Sequence, residues 1–330
     1  MSEAVFVNPG RMTRCVGGLY SVYLDPGVES SPLSGQLIHC RARGKFRYHG
    51  LSPKCGDIVQ VAYTSNSFVP GETPVQVPTY ADISLVSIME RKNELIRPPM
   101  ANLDLFFIVL SAKDPVTPYL TIDKLTCIAE HNRIRPVLLI TKADLCPEQA
   151  EHDCSLYRSV GYDAFILSSL TGTGLEELSR YLRTELPGKV ACLAGVSGAG
   201  KSSLLNRLFP GQDRATGALS EKIQRGRNTT REITLFPAVP GNPSSGWIAD
   251  TPGFSLIDFE RFDFFKKDDL PQTFPEFLPY LGQCRYRNCT HTKEEGCRVL
   301  EAVRDGIIPV SRHDSFLSLY EDLKDKHDWD

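Results

Sequence analysis

The sequence predicts a multidomain α/β protein: an N-terminal β-barrel, an α/β domain with a phosphate-binding loop, and a C-terminal α-rich domain closed around a metal. Three observations carry that expectation. Gly195–Ser202 reads GVSGAGKS, short β-like runs fill the first ninety residues, and Cys284, Cys289, His291 and Cys297 crowd into one short polar segment.

The chain has 330 residues, enough for two or three domains and a large core. Its 41% hydrophobic and 23% charged residues are ordinary for a soluble protein, and its net charge of −3 excludes a uniformly basic nucleic-acid binder. Any RNA contact must then be local. No apolar run approaches the ~18 residues of a membrane span. The start, MSEAVFVNPG, has neither a basic n-region nor an apolar h-region, so no signal peptide is expected. Seven of the ten cysteines are scattered (Cys15, Cys40, Cys55, Cys127, Cys146, Cys154 and Cys192) and read as buried thiols in a reducing cytoplasm.

In the first segment, Gly18–Leu24, Gln36–Cys40, Asp57–Tyr63 and Ala81–Ile88 are β-like. Turn residues such as Asp25-Pro26-Gly27 and Cys55-Gly56-Asp57 separate them, which suggests a small barrel. No acidic residue falls between Glu29 and Asp57, whereas Arg41, Arg43, Lys45, Arg47 and Lys54 do, interleaved with Phe46, Tyr48 and His49. Cations for phosphates and rings for bases make this an RNA-binding candidate. A solvated basic hairpin is the alternative.

Val190–Ala194 is a strand candidate and Ser203–Phe209 a helix candidate, the context a P-loop requires. Gly195, Val196, Ser197, Gly198, Ala199 and Gly200 would close backbone N–H groups around phosphate oxygens, with Ser203 on the following turn. Lys201 would reach the β- and γ-phosphates, and Ser202 would ligate Mg²⁺.

The base-reading segment precedes this loop. Thr141, Lys142 and Asp144 form TKAD at the end of the apolar run Pro136–Ile140, similar to the NKxD motif of GTPases. Its carboxylate would accept hydrogen bonds from guanine N1–H and the 2-amino group. Phe165–Ser168 leads into Ser168-Ser169-Leu170, where a backbone N–H would meet guanine O6. Downstream, Asp250 would hold Mg²⁺ through water and Gly253 would donate to the γ-phosphate, within a DxxG-like DTPG. Gly226–Thr230 (GRNTT) supplies switch threonines for Mg²⁺. Base motifs first and phosphate motifs second make a circularly permuted GTPase domain.

The cluster Cys284, Cys289, His291, Cys297 has the spacing C-x4-C-x-H-x5-C. Three thiolates and one imidazole make a closed, structural type of zinc site. The surrounding segment has too few apolar residues to fold alone, so a metal would supply the missing stability. Val299, Leu300 and Val303 suggest a short helix, and Phe316, Leu319, Tyr320 and Leu323 fall on one helical face. That face is expected to pack around the zinc loop, with docking on a partner as the alternative.

Together these residues resemble the ribosome small-subunit-dependent GTPase A family (RsgA, also called YjeQ or YloQ) over essentially the whole chain. The resemblance rests on the barrel, on the order TKAD, SSL, GVSGAGKS, GRNTT, DTPGF, and on the zinc spacing. Arg91–Asp104 (RKNELIRPPMANLD) also looks like that family's lead into its GTPase domain. The resemblance implies an OB-fold for the barrel. It also implies a bacterial cytoplasmic factor in late maturation of the small (30S) ribosomal subunit, which binds the subunit and hydrolyses GTP weakly until the subunit stimulates it. Three positions depart from common patterns. Thr141 replaces the usual Asn of NKxD. Phe254 stands where many GTPases orient water with Gln. Asn228 stands where family members commonly have His, and Asn cannot take up a proton near neutral pH.

The resulting expectation is a barrel over 1–88, a permuted GTPase domain over 89–260 and a zinc-binding domain over 261–330. Its cofactors would be GTP/GDP, Mg²⁺ and one Zn²⁺. Its partners would be the 30S subunit and 16S rRNA, with a monomeric, cytoplasmic protein. Asn228, Thr230 and Lys201 are the candidate catalytic residues. A GTP-dependent RNA-binding switch with negligible turnover is the rival from another class, kept alive by Asn228. An ATP-using P-loop enzyme is a second rival, against which Asp144 argues.

Overall fold

The structure is a computed structural model that describes residues 5–28, 31, 33–42, 52–64, 83–96, 98–209, 233–250 and 266–324. The chain divides into two compact units, one from residues 1–103 and 211–252, the other from 104–210 and 253–330.

The first unit opens with β1 (Val5–Val16), β2 (Leu19–Leu24), β3 (Leu37–Ala42), β4 (Ile58–Thr64) and β5 (Ser84–Ile88). Strand β1 serves two neighbours: Val5–Arg11 pairs with β4, and Gly10–Val16 pairs with β2. β2 then pairs with β3, β3 in parallel with β5, and β5 with β4. The five strands thus close a ring, which leaves no free edge within it. At the crossover in β1 sits Gly10, where a Cβ would meet Val22 Cγ1 at 2.6 Å and the Tyr23 carbonyl at 2.8 Å, so glycine lets the ring bend inward. Met12, Val22, Leu24, Ile38, Val59, Val61 and Leu85 fill the interior. β2 to β5 lie on the four β-like runs of the sequence. β1, the longest strand, had no such signal because Asn8-Pro9-Gly10 interrupts its alternation.

The Arg91–Asp104 segment begins as a strap on this barrel. Its short hairpin, β6 (Glu94–Leu95) with β7 (Met100–Ala101), is flanked by partly buried polar ties. Arg91 donates to the fully buried Asp57 at 2.7 Å. Asn93 Nδ2 donates to the Leu103 carbonyl, and its Oδ1 accepts from the Leu103 N–H.

The second unit alternates strand and helix: β8 (Leu105–Ser111), α1 (Tyr119–His131), β9 (Arg135–Thr141), α2 (Pro147–Ser159), β10 (Asp163–Ile166), α3 (Leu175–Glu185), β11 (Val190–Ala194) and α4 (Lys201–Leu208). The strands are parallel in the order β10-β9-β8-β11. β8 and β11 are buried throughout, which accounts for their unbroken apolar sequence. All four strands end on one edge of the sheet, where α/β proteins place ligands.

Two 3₁₀ helices (Lys267–Thr273 and Pro275–Tyr280), α5 (Arg298–Arg304) and α6 (Val310–Lys324) complete this unit. Phe316, Leu319 and Leu323 of α6 are buried with Phe274, Phe277, Cys297 and Val299, as the helical periodicity requires. The same cluster includes Cys127 of α1, so the tail packs on the α/β sheet's own helix as well as around the cysteine loop. Later in the first unit, β12 (Thr234–Val239) and β13 (Asn242–Asp250) form an antiparallel hairpin that joins β1 at Arg14 opposite Thr234. Among the seven scattered cysteines, Cys15 and Cys146 are half-buried and not fully buried as expected. The other five are buried. No described helix is long and apolar enough to cross a membrane.

Candidate nucleotide and metal sites

The ends of β8, β9, β10 and β11 bring the predicted base-reading and phosphate-binding residues onto one edge of the second unit. Gly195 leaves β11 at φ +147°, and a Cβ there would meet the Val109 carbonyl at 2.2 Å, so only glycine allows this departure. The loop Gly195–Gly200 then enters α4. Ser197 and Gly198 are exposed, Val196 and Ala199 buried, and Ser202 and Ser203 exposed on the first helical turn. Lys201 Nζ folds back to donate to the carbonyls of Gly195 at 2.7 Å and Val196 at 2.8 Å. Burial lowers its pKa, since a half-buried ammonium is poorly hydrated.

Thr141 closes β9 against this loop. Its hydroxyl lies 2.6 Å from the Ala199 carbonyl and 3.0 Å from the Leu110 carbonyl, and its single proton serves one of them at a time. A threonine in place of asparagine therefore keeps a direct tie between the base-reading strand and the phosphate loop. Lys142 adopts φ +56° and donates through Nζ to the Asp114 carbonyl. Asp144 is exposed at the sheet edge, and Ser168 Oγ, fully buried, donates to its Oδ1 at 2.5 Å. The same Ser168 oxygen accepts from the Thr171 N–H at 3.1 Å. Ser169 is half-buried and Leu170 is 80% exposed.

The connection from β8 to α1, residues 112–118, borders this edge. Besides the Asp114 carbonyl, it supplies Pro115, whose Cδ lies 3.5 Å from where a Cβ on Gly198 would stand. Sequence patterns hold no sign of this contact, because the 112–118 connection belongs to no nucleotide motif.

Asp250 ends β13 in the first unit, and its side chain is not described. Asn228, Thr230 and Gly253 lie outside the described residues. Of the candidate RNA-binding residues, Arg41 is exposed on β3, whereas Arg43, Lys45 and Arg47 lie outside the described residues.

Cys284, Cys289, His291 and Cys297 converge, with one ligand atom from each and all four within 4.8 Å of one another. Cys284 Sγ stands 3.6 Å from His291 Nδ1 and 3.9 Å from Cys297 Sγ, and His291 Nδ1 stands 3.4 Å from Cys297 Sγ. A tetrahedron with metal–sulfur bonds of about 2.3 Å has edges of about 3.8 Å, so the donor set fits a closed zinc site. Two residues that the spacing did not single out shape it. Glu294 accepts from the N–H groups of Thr290, Thr292 and Lys293 at 2.8–3.1 Å. Although partial burial works the other way, the Thr290 hydroxyl and the backbone N–H groups of Thr290, Lys293 and Glu294 itself hold its pKa down at about 2. His313 Nε2 lies 2.9 Å from the carbonyl of the ligand His291.

A parallel sheet with a P-loop after β11 and a base-reading strand that comes earlier in the chain defines a circularly permuted P-loop GTPase. Residues 88–260 match the family described as RsgA GTPase, and residues 9–67 match the RsgA N-terminal domain. The chain is 37% identical over 318 residues to the small ribosomal subunit biogenesis GTPase RsgA of Caldanaerobacter subterraneus subsp. tengcongensis, with 96% of each chain covered. It is 35% identical to the protein of that name from Geobacillus kaustophilus, covering 96% of this chain and 98% of the other. Among solved structures, YjeQ from Thermotoga maritima superposes with a TM-score of 0.74 at 29% identity, covering 98% of this chain and 100% of that one. YloQ, described as a circularly permuted GTPase, superposes with a TM-score of 0.71 at 30% identity, covering 98% and 96%. The chain belongs to the RsgA GTPase family and is a GTP-hydrolysing enzyme.

Proposed function

We propose that this enzyme hydrolyses GTP to GDP and phosphate during late maturation of the small ribosomal subunit, and that hydrolysis is coupled to docking on and leaving that subunit. The relatives' shared name, small ribosomal subunit biogenesis GTPase, supports the partner. The observation that carries the chemistry is the tie of Thr141 to the Ala199 carbonyl, which fixes a guanine-reading strand against a phosphate-binding loop. Asp144, held by Ser168, selects guanine, with Ser169 and Leu170 offering backbone to O6. The N–H groups of Gly195–Ser203 cradle phosphates, and Lys201 exchanges its carbonyl partners for the β- and γ-phosphate oxygens. Gly253 would donate its N–H to the γ-phosphate.

Ser202, Thr230 and Asp250 would hold Mg²⁺, which when bound neutralises charge on the phosphates. The protein's own contribution is position and charge, with Asn228 and Thr230 ordering the attacking water and Lys201 stabilising the transferred group. Cys284, Cys289, His291 and Cys297 hold one structural zinc. Arg41, Arg43, Lys45 and Arg47 contact 16S rRNA. The protein works as a cytoplasmic monomer, with a barrel over 1–88, a GTPase domain over 89–260 and a zinc domain over 261–330.

The test is GTP turnover with and without purified 30S subunits, for wild type and Asp144→Asn. Subunit-stimulated turnover that Asp144→Asn abolishes is expected. Turnover indifferent to the subunit, or to Asp144, would overturn the proposal.

A further inference from the structure

The second unit buries an arginine that nucleotide chemistry does not use. Arg312, in the first turn of α6, is completely buried. Its guanidinium divides its bonds between two parts of the unit. Nε donates to Glu276 Oε1 at 2.6 Å and Nη2 to Oε2 at 3.3 Å, both on the second 3₁₀ helix of the tail itself. Nη1 donates to Asp123 Oδ1 at 2.6 Å and to Thr126 Oγ1 at 3.2 Å, both on α1. Asp123 is completely buried too, and the Tyr157 hydroxyl of α2 donates to the same oxygen at 3.0 Å. The Phe274 ring covers the guanidinium at 4.6 Å. Burial works to lower the pKa of Arg312, but the facing carboxylates outweigh it and hold the group charged. Such a charge pair is costly to bury and fixes geometry more than it adds stability.

What Arg312 fixes at its far end is α1. Asp123 lies five residues after Pro118, whose carbonyl accepts the first helical N–H groups, from Thr121 and Ile122. Pro118 closes the 112–118 connection, which carries the Asp114 carbonyl on Lys142 Nζ and Pro115 against Gly198. At its near end, Arg312 adjoins His313, which meets the carbonyl of His291. Helix α1 is therefore a rigid beam with the nucleotide edge at one end and the metal-binding tail clamped beside it.

We propose that Arg312 is a positioning residue for nucleotide binding: through Asp123 it sets α1, and through α1 it sets the 112–118 connection against Lys142 and the phosphate loop. This rests on the reading of that edge as the GTP site. The reverse effect follows from linkage, since two sites that share one element must influence each other equally. Nucleotide binding should then tighten the His291 loop.

The two halves of the guanidinium's bonding make the proposal separable from plain stability. The probe is N-methylanthraniloyl-GDP bound to the full chain with its metal, followed by fluorescence. Asp123→Asn takes the charge out of the link to α1, leaving an amide oxygen and Thr126 on Nη1, and should weaken binding about tenfold, within the usual range of coupling. Glu276→Gln takes the charge out of the link inside the tail alone and should leave affinity within about twofold, even where it lowers the melting temperature as much. Arg312→Lys, which keeps the charge and loses the fork, should behave like Asp123→Asn, and the double variant should be no worse than either single one. In hydrogen exchange, GDP should slow the amides of 289–297 in wild type and fail to do so in Arg312→Lys. Asp144→Asn separates the two readings. If wild type binds GDP through Asp144 while Asp123→Asn binds it equally well, or Glu276→Gln loses as much as Asp123→Asn, the positioning role is wrong. If wild type does not bind GDP at all, the nucleotide site itself is wrong, and the positioning role with it.

Discussion

The nucleotide edge and the cysteine loop belong to the same unit but are held in opposite ways. The nucleotide edge stands on a largely buried parallel sheet, and its polar side chains are held by short local hydrogen bonds: a threonine on a carbonyl, a serine on a carboxylate, a lysine on two carbonyls. The cysteine loop has little sheet or helix of its own. It relies on four converging donors, on Glu294 gathering three N–H groups, and on the aromatic cluster of Phe274, Phe277 and Phe316. The difference teaches where each stores its stability. The expectation that follows is a first region that holds its shape before its ligand arrives and a second that needs its ligand to do so.

That contrast breaks most easily at the metal. Stripping it with a chelator, or replacing Cys297 with Ser, should unfold the tail, because structural zinc supplies about 10–16 kcal/mol of apparent folding free energy in small sites. Metal analysis should find one equivalent in wild type. Near-ultraviolet circular dichroism should lose the tail's aromatic signal while the parallel sheet survives. A tail that stays ordered without metal would erase the distinction.

On the nucleotide edge the largest effect should come from Gly195→Ala. Its methyl would enter the space of the Val109 carbonyl, so the loop must shift and GDP affinity should fall by a factor of about a hundred or more. Far-ultraviolet circular dichroism should change little. Next comes Asp144→Asn, which should lower GTP affinity sharply and admit xanthosine triphosphate, as read by competition binding. Unchanged GTP affinity would mean that Asp144 does not face the base. The smallest effect should be Thr141→Val, which keeps the shape and removes one hydrogen bond. A loss of about 1 kcal/mol, or roughly fivefold in nucleotide affinity, is the expected scale.

The two regions also differ in how plainly the amino-acid sequence announces them. The strand ahead of the P-loop, Val190–Ala194, is legible to the residue because strand, glycine turn and helix are contiguous. The four metal-site residues are legible because their spacing lies within fourteen positions. β1 is not, since Pro9 and Gly10 break an alternation that only its two different partners explain. Arg312 is invisible for a different reason: its partner Asp123 is 189 residues away, and an arginine in a polar helix reads as solvated. The tie of Ser168 to Asp144 is half legible. Both residues stand in motifs, but their mutual bond is a product of parallel strand order. Asn228 and Thr230, on which the catalytic reading turns, lie outside the described residues.

The division of the chain has a consequence for how the protein is made. Each unit is assembled from two separated stretches, and the first gains its β12–β13 hairpin well over a hundred residues after its barrel strands end. During synthesis the five-stranded ring can close as soon as β5 has emerged. Its hairpin edge must wait while the whole parallel sheet is translated. The second unit waits longer still, because Arg312 reaches Asp123 only after a further 189 residues have been made. Closing so long a loop adds little to the final cost, since that cost grows only with the logarithm of length, but it delays the event. The buried carboxylate of Asp123 is thus without its cation while those residues are made, and the last of the described helices is the one that bonds to α1.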